Sequence, residues 1–170
     1  MGQRSADGAA VADLGIADEI VACAIEKQKI DPRRIHSSGY SAGGLQTGAM
    51  LIQRSNYMAS GLIYSGGVIA RAPNTDPSNV PSLPSAPCAH ISDWLALDFA
   101  QGCMDLETDI VMRGGFAIDC DDGGSHVSFT RFSVADFGWK FLDTHRYKVK
   151  PSPWASMLPG APSHCKIWMP

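Results

Sequence analysis

The 170-residue chain reads as one α/β domain, a layered fold built on a mostly parallel sheet. Three observations predict it. Short β-rich or apolar runs alternate with helical patterns across short loops, the arrangement from which parallel sheets are built. One strand-to-helix junction carries a serine between glycines, Gly39-Tyr40-Ser41-Ala42-Gly43-Gly44. The composition, 45% hydrophobic and 18% charged, is that of an ordinary globular chain long enough to bury a substantial core.

Residues 1–12 are small and polar and read as a flexible lead. From Asp13, a candidate cap, to Lys29 the pattern is helical, with Ile16 and Ile20, then Val21 and Ile25, at i, i+4 spacing. Asp31-Pro32 ends that helix, because the residue before proline is pushed out of the α region. Arg34 to Ser38 reads as the strand into the junction, and Ala42 to Arg54 as the helix leaving it. Ala59 to Ile69 predicts a buried strand running into a glycine turn. Prolines, serines and asparagines make 72–87 a loop.

A short apolar segment around Cys88 to Ile91 follows, then a helix from Trp94 to Cys103 and a strand over Asp109 to Met112. Phe116 to Cys120 reads as the last strand. Phe129 to Asp143 reads as the last helix, with Phe132, Phe137, Trp139 and Phe141 among its apolar residues. The organisation predicted is a lead (1–12), the α/β domain (13–149) and a proline-rich tail packed on it (150–170).

A formal net charge of −3 gives no basic footprint for nucleic acid, and no apolar run reaches the ~18–20 residues of a membrane helix. The first eight residues hold no apolar stretch of a signal peptide, and Ala6 stands where a myristoylation signal needs serine or threonine. The five cysteines (Cys23, Cys88, Cys103, Cys120, Cys165) allow two disulfides and one thiol, as in a secreted protein. The alternative is five reduced cysteines with Cys23 buried on a helix face.

The junction has the form G-x-S-x-G, the nucleophile elbow of serine hydrolases, in which a tight turn lifts the serine hydroxyl beyond the sheet edge. Its flanking glycines are expected to be required because a side chain there would strike the other arm of the turn. A serine hydroxyl needs a base to take its proton, and the base needs a third group to orient it. In the hydrolase arrangement these follow in the order serine, acid, histidine.

Of five histidines, His36 falls in the strand before the elbow, His90 precedes the acid region, and His145 and His164 sit on the last helix and in the tail. His126 follows the last predicted strand in Asp122-Gly123-Gly124-Ser125-His126 and is the candidate base. Asp93 is the candidate acid, with Asp98 and Asp105 as rivals. Asp119, Asp121 and Asp122 read as turn formers or solvated charges. Cys120 with His126 finds no second ligand pair at zinc spacing, so no metal and no cofactor is expected.

With Ser41, Asp93 and His126 placed, the chain resembles α/β-hydrolases of the polyhydroxybutyrate depolymerase and feruloyl esterase group. Ile30-Asp31-Pro32-Arg33-Arg34-Ile35 before the elbow is similar to that group's D-x-x-R-I/V segment, and Tyr64-Ser65-Gly66-Gly67 looks like the end of its next strand. His90 to Phe99 resembles its acid loop, though two residues short and without the glycines. Gly123-Gly124-Ser125-His126 resembles its histidine loop, and Trp139-Lys140-Phe141-Leu142 the helix after it. The likeness runs from about residue 13 to 145.

The resemblance implies a three-layer α/β-hydrolase fold lacking its N-terminal strands, and with them a loop that supplies one oxyanion donor. It implies ester hydrolysis through an acyl-enzyme on Ser41, with Ala42 in the oxyanion hole, on hydroxyalkanoate esters or aromatic esters of plant polysaccharides. It also implies an extracellular setting. Tyr40 and Trp94 are candidates to line the acyl site, although packing explains each as well. A sheet short of strands exposes an edge, so self-association or a complementing N-terminal segment is an expected partner. The competing expectation is a catalytically incomplete hydrolase fragment or a non-catalytic binding module.

Overall fold

A computed structural model describes residues 6–68, 86–90, 98–121, 123 and 134–170. It divides into two units, 1–32 and 33–170. The first contains α1 (Ala6–Gln28). That helix starts well before the expected cap at Asp13, consistent with the strong helix propensity of Ala6, Ala9 and Ala10. Ile16 and Ile20, whose spacing predicted the helix, are exposed on it, and so is Cys23.

In the second unit the elements run β1 (His36–Tyr40), α2 (Ala42–Gln53), β2 (Ser60–Tyr64), β3 (Ala86–His90), α3 (Phe99–Met112), β4 (Ala117–Asp121), α4 (Val134–Thr144) and β5 (Cys165–Ile167). The sheet order is β1-β2-β3-β4-β5. The first four strands are parallel and β5 joins β4 antiparallel. The mostly parallel α/β fold predicted from sequence is what forms.

Helices cover both faces. Gly61 of β2 faces Leu51 and Thr47 of α2, and Gly48 of α2 lies near Leu106 of α3, so α2 and α3 share a face. Leu62 points the other way, against Gly138 of α4. This makes three layers. It also explains why β2 and β4 are buried along most of their length instead of alternating, as parallel strands covered twice must be. On the α4 side Phe137 and Phe141 (i, i+4) pack with Leu62, Ile118 and the tail residue Trp154. Trp139, counted among the helix's apolar residues, points to solvent.

Two differences from the sequence reading have clear causes. The strand expected over Asp109 to Met112 is the last turn of α3. The helix is started by Asp98, whose carboxylate accepts the Gln101 N–H at 2.8 Å, and its end carries an Asp109–Arg113 ion pair at 3.0 Å. The β-branched Ile110 and Val111 suggested extension, but Cys103, Leu106 and Ile110 recur on one buried face at helical spacing. The tail supplies a strand the pattern did not show. Three residues of β5 pair with Ile118 to Cys120, and a disulfide joins Cys120 to Cys165. Cys103 is also disulfide-bonded, while Cys23 is a free, exposed thiol and not the buried one of the reduced alternative.

Candidate active site

Ser41 sits where β1 ends and α2 begins, with φ 56° and ψ −120°. Few non-glycine residues adopt such a backbone, and holding one there costs on the order of 1–3 kcal/mol. The surroundings impose it. The Ser41 N–H donates to the Tyr64 carbonyl at 2.9 Å, tying the turn to the end of β2, and the Leu45 N–H donates to the Ser41 carbonyl at 3.0 Å. The side chain makes no cap bond to α2, although serine is a favoured cap.

The turn is possible because glycines let backbone meet backbone. A Cβ on Gly39 would stand 2.0 Å from the Gly43 carbonyl oxygen. One on Gly44 would come within 2.9 Å of the Tyr64 oxygen and 3.0 Å of the Gly66 Cα. Gly43 corrects the expectation for both flanking glycines, since a Cβ there meets nothing within 4 Å among the described residues. The second close approach falls one residue later, at Gly44.

Ala42 is the first residue of α2, so its amide has no acceptor within the helix and points out of the positive end of the helix dipole. That is the chemistry of an oxyanion donor beside a nucleophile. Tyr40 closes β1, half-buried and in register with Tyr64. After Tyr64 the chain turns through Ser65, itself at φ 48° and buried, with an Oγ that lacks a hydrogen-bond partner among the described residues. Sequence reasoning treated Ser65-Gly66-Gly67 only as a turn. Its packing on Gly44 makes it the second wall of the elbow, and the paired Gly-Gly steps at 43–44 and 66–67 were the available signal.

Asp93, Trp94, Asp122 and His126 lie outside the described residues. Their rivals do not, and each has other work. Asp98 caps α3, and Asp105 accepts from the Gln101 side chain at 2.7 Å on that helix's surface. Asp119 is buried in β4 and pairs with Lys166 at 3.1 Å, while Asp121 accepts the Gly123 N–H at 2.8 Å as a turn former.

His36 starts β1, at the end of the strand remote from Ser41. It bonds the Ser60 hydroxyl at 2.8 Å, and burial and then Arg34 lower its pKa. His145 is a core residue. Its Nδ1 donates to the Phe141 carbonyl at 2.7 Å, Nε2 meets the Ser152 hydroxyl at 2.7 Å, and burial pulls its pKa down to about 4.

The strands that carry these segments end together. Tyr40 is level with Tyr64, Tyr64 with Ala89, and His90 with Asp121. Ser41 leaves this edge directly, and the chain passes beyond it at His90 and again at Asp121.

Compared with solved structures, the chain is similar to a Bacillus cereus carboxylesterase, with TM-score 0.64 and 13% identity over 81% of this chain and 63% of that one. It is similar to native pOPH, with TM-score 0.64 and 19% identity over 86% and 56%. A Pyrococcus horikoshii acylaminoacyl peptidase gives TM-score 0.57 and 16% identity over 81% and 28%. The chain thus spans 63% or less of the length of these structures. No protein-family model and no curated protein sequence matches it. The fold is that of the α/β-hydrolases.

Proposed function

We propose that the chain is a serine carboxylic-ester hydrolase. The observation that carries this is the strained backbone of Ser41 at the carboxyl end of β1 and the start of α2. Strain of this kind persists only where surrounding structure enforces it, and here it sets a serine directly before the first helical residue of α2, Ala42.

His126 is the base and Asp93 the group that orients it. Asp93 is three residues past the end of β3, and His126 five past the end of β4. Extended chain spans at most ~3.5 Å per residue and strands lie ~4.8 Å apart, so both segments are long enough to reach Ser41 across the sheet edge. The structural duties of Asp98, Asp105, Asp119 and Asp121 favour Asp93 over these four.

In the first step Ser41 Oγ bonds to the ester carbonyl carbon while His126 takes its proton, and the Ala42 N–H stabilises the resulting oxyanion. The tetrahedral intermediate then breaks its bond to the alcohol, which leaves with the proton from His126. Water, deprotonated by His126, hydrolyses the acyl-Ser41 ester. The substrate class is a hydroxyalkanoate, feruloyl or acetyl ester. Bonded Cys103, Cys120 and Cys165 fit an oxidising, extracellular setting.

Hydrolysis of p-nitrophenyl butyrate tests the proposal. Ser41→Ala is expected to lower the rate by roughly 10³-fold or more, since loss of a nucleophile leaves only what the remaining site contributes. Equal rates for the two proteins would leave a binding module as the better reading.

A further inference from the structure

The edge of the sheet opposite Ser41 holds a second feature. A cavity of about 160 Å³ opens there between the residues preceding β2 (Met58, Ala59), those preceding β4 (Gly114 to Phe116) and the chain that follows α4. Three cations line it, Arg146, Lys148 and Lys150, and no carboxylate among the described residues does. None of the three takes part in an ion pair among the described residues.

Two of these charges are positioned by their neighbours. The Lys148 ammonium lies 5.1 Å from the centre of the Tyr147 ring, on a residue whose own φ is 64°. The Lys150 ammonium rests over Gly114, 3.7 Å from where a side chain would begin. Behind them, the Ser152 hydroxyl donates to His145 Nε2 and accepts the Trp154 backbone N–H, which fixes the segment that forms the wall. The cluster is not the spill-over of a basic protein, since the chain carries a formal −3. Three like charges around one concavity repel each other until a counter-anion enters.

We propose that this cavity binds a small, multiply charged oxyanion, a phosphate or sulfate group, at a site separate from Ser41. Its volume is close to that of cavities that admit one benzene, which suits a single tetrahedral group and excludes a nucleotide. Arg146 supplies a planar fork for two oxygens, and the lysines supply point charges for the rest.

The test is titration of the whole chain with inorganic phosphate and with sulfate at constant ionic strength, followed by thermal denaturation and calorimetry. A saturable rise in Tm on the order of 3–6 °C is expected, absent when chloride replaces the oxyanion. Lys148→Gln combined with Lys150→Gln should weaken binding roughly tenfold or more, and the paired arginine variants should retain it. Ester hydrolysis by the double glutamine variant should equal that of the parent, because the cavity and Ser41 lie at opposite ends of the strands. Glycerol 3-phosphate separates the sources of the group. Tighter binding than phosphate assigns an organic phosphate, and equal or weaker binding assigns the free ion. A shift that does not saturate, or that survives unchanged in the glutamine variant, overturns the proposal.

Discussion

Gly39→Ala is expected to destabilise the domain by about 3 kcal/mol or more, a fall in Tm of roughly 10 °C, whereas Gly43→Ala should be tolerated. The added methyl on Gly39 would lie 2.0 Å from the Gly43 oxygen, 2.2 Å from its carbonyl carbon and 2.8 Å from the Gly44 nitrogen. All three atoms are backbone, so no side chain can swing away, and the strand end and helix start must separate. That separation would break the Ser41 N–H bond to Tyr64 and relax the strained serine. At Gly43 nothing among the described residues stands within 4 Å, and alanine in a helix exceeds glycine by up to ~1 kcal/mol. Thermal denaturation of the two variants makes the comparison. Equal losses would show that the turn is not held by the close approach at Gly39.

Stability should fall as pH rises from about 6.5 to 9, and Glu107→Gln should remove most of that fall. Glu107 occupies the buried face of α3 with both oxygens lacking hydrogen-bond partners among the described residues. Burial, and then the Asp119 carboxylate, raise its pKa to about 9, with Lys166 opposing. Unfolded, the same group loses its proton near 4.5. Between those values the folded chain holds one proton more, so rising pH favours unfolding, by up to ~1.4 kcal/mol per unit.

His145 works in the opposite sense at lower pH. Folded, it protonates near 4, against 6.5 when free, so its contribution to stability grows as pH rises through that window. The interval above 6.5 therefore isolates Glu107, and over it the parent should lose roughly 3 kcal/mol that the glutamine variant does not. Denaturant unfolding at pH 6.5 and 9 measures both. An identical pH difference in the two proteins would mean that the Glu107 carboxyl is ionised within the fold.

How much was legible in the sequence depended on how local each cause is. β1, the elbow and α2 could be read because a glycine-bracketed serine between a strand and a helix pattern reports its own geometry. The glycine requirement at 39 followed too, but its partner at 44 did not, since the atoms it avoids belong to Tyr64 and Gly66 on another strand. β5 escaped notice because three residues carry no period, and its place is fixed by Cys120 and the strand it pairs with.

The end of α3 was misread because Ile110 and Val111 favour strands by type, while the buried helical face that holds Ile110 depends on the sheet below. Nothing along the chain marks Glu107 as buried, and the cation-lined cavity joins segments some thirty residues apart (114–116 and 145–155), so neither leaves a local trace. Of the proposed triad, the sequence named all three residues, and the described structure speaks directly to Ser41.

An activated alcohol at position 41 is the premise that the proposed chemistry needs, and a fluorophosphonate probe reads it without assuming any natural substrate. Mass spectrometry of the labelled, folded chain should find one adduct, on the peptide containing Ser41, with fluoride lost and the phosphonate joined to Oγ. His126→Ala should abolish that adduct while leaving the fold intact. An unlabelled Ser41 in the folded parent, or labelling undiminished without the imidazole, would contradict it.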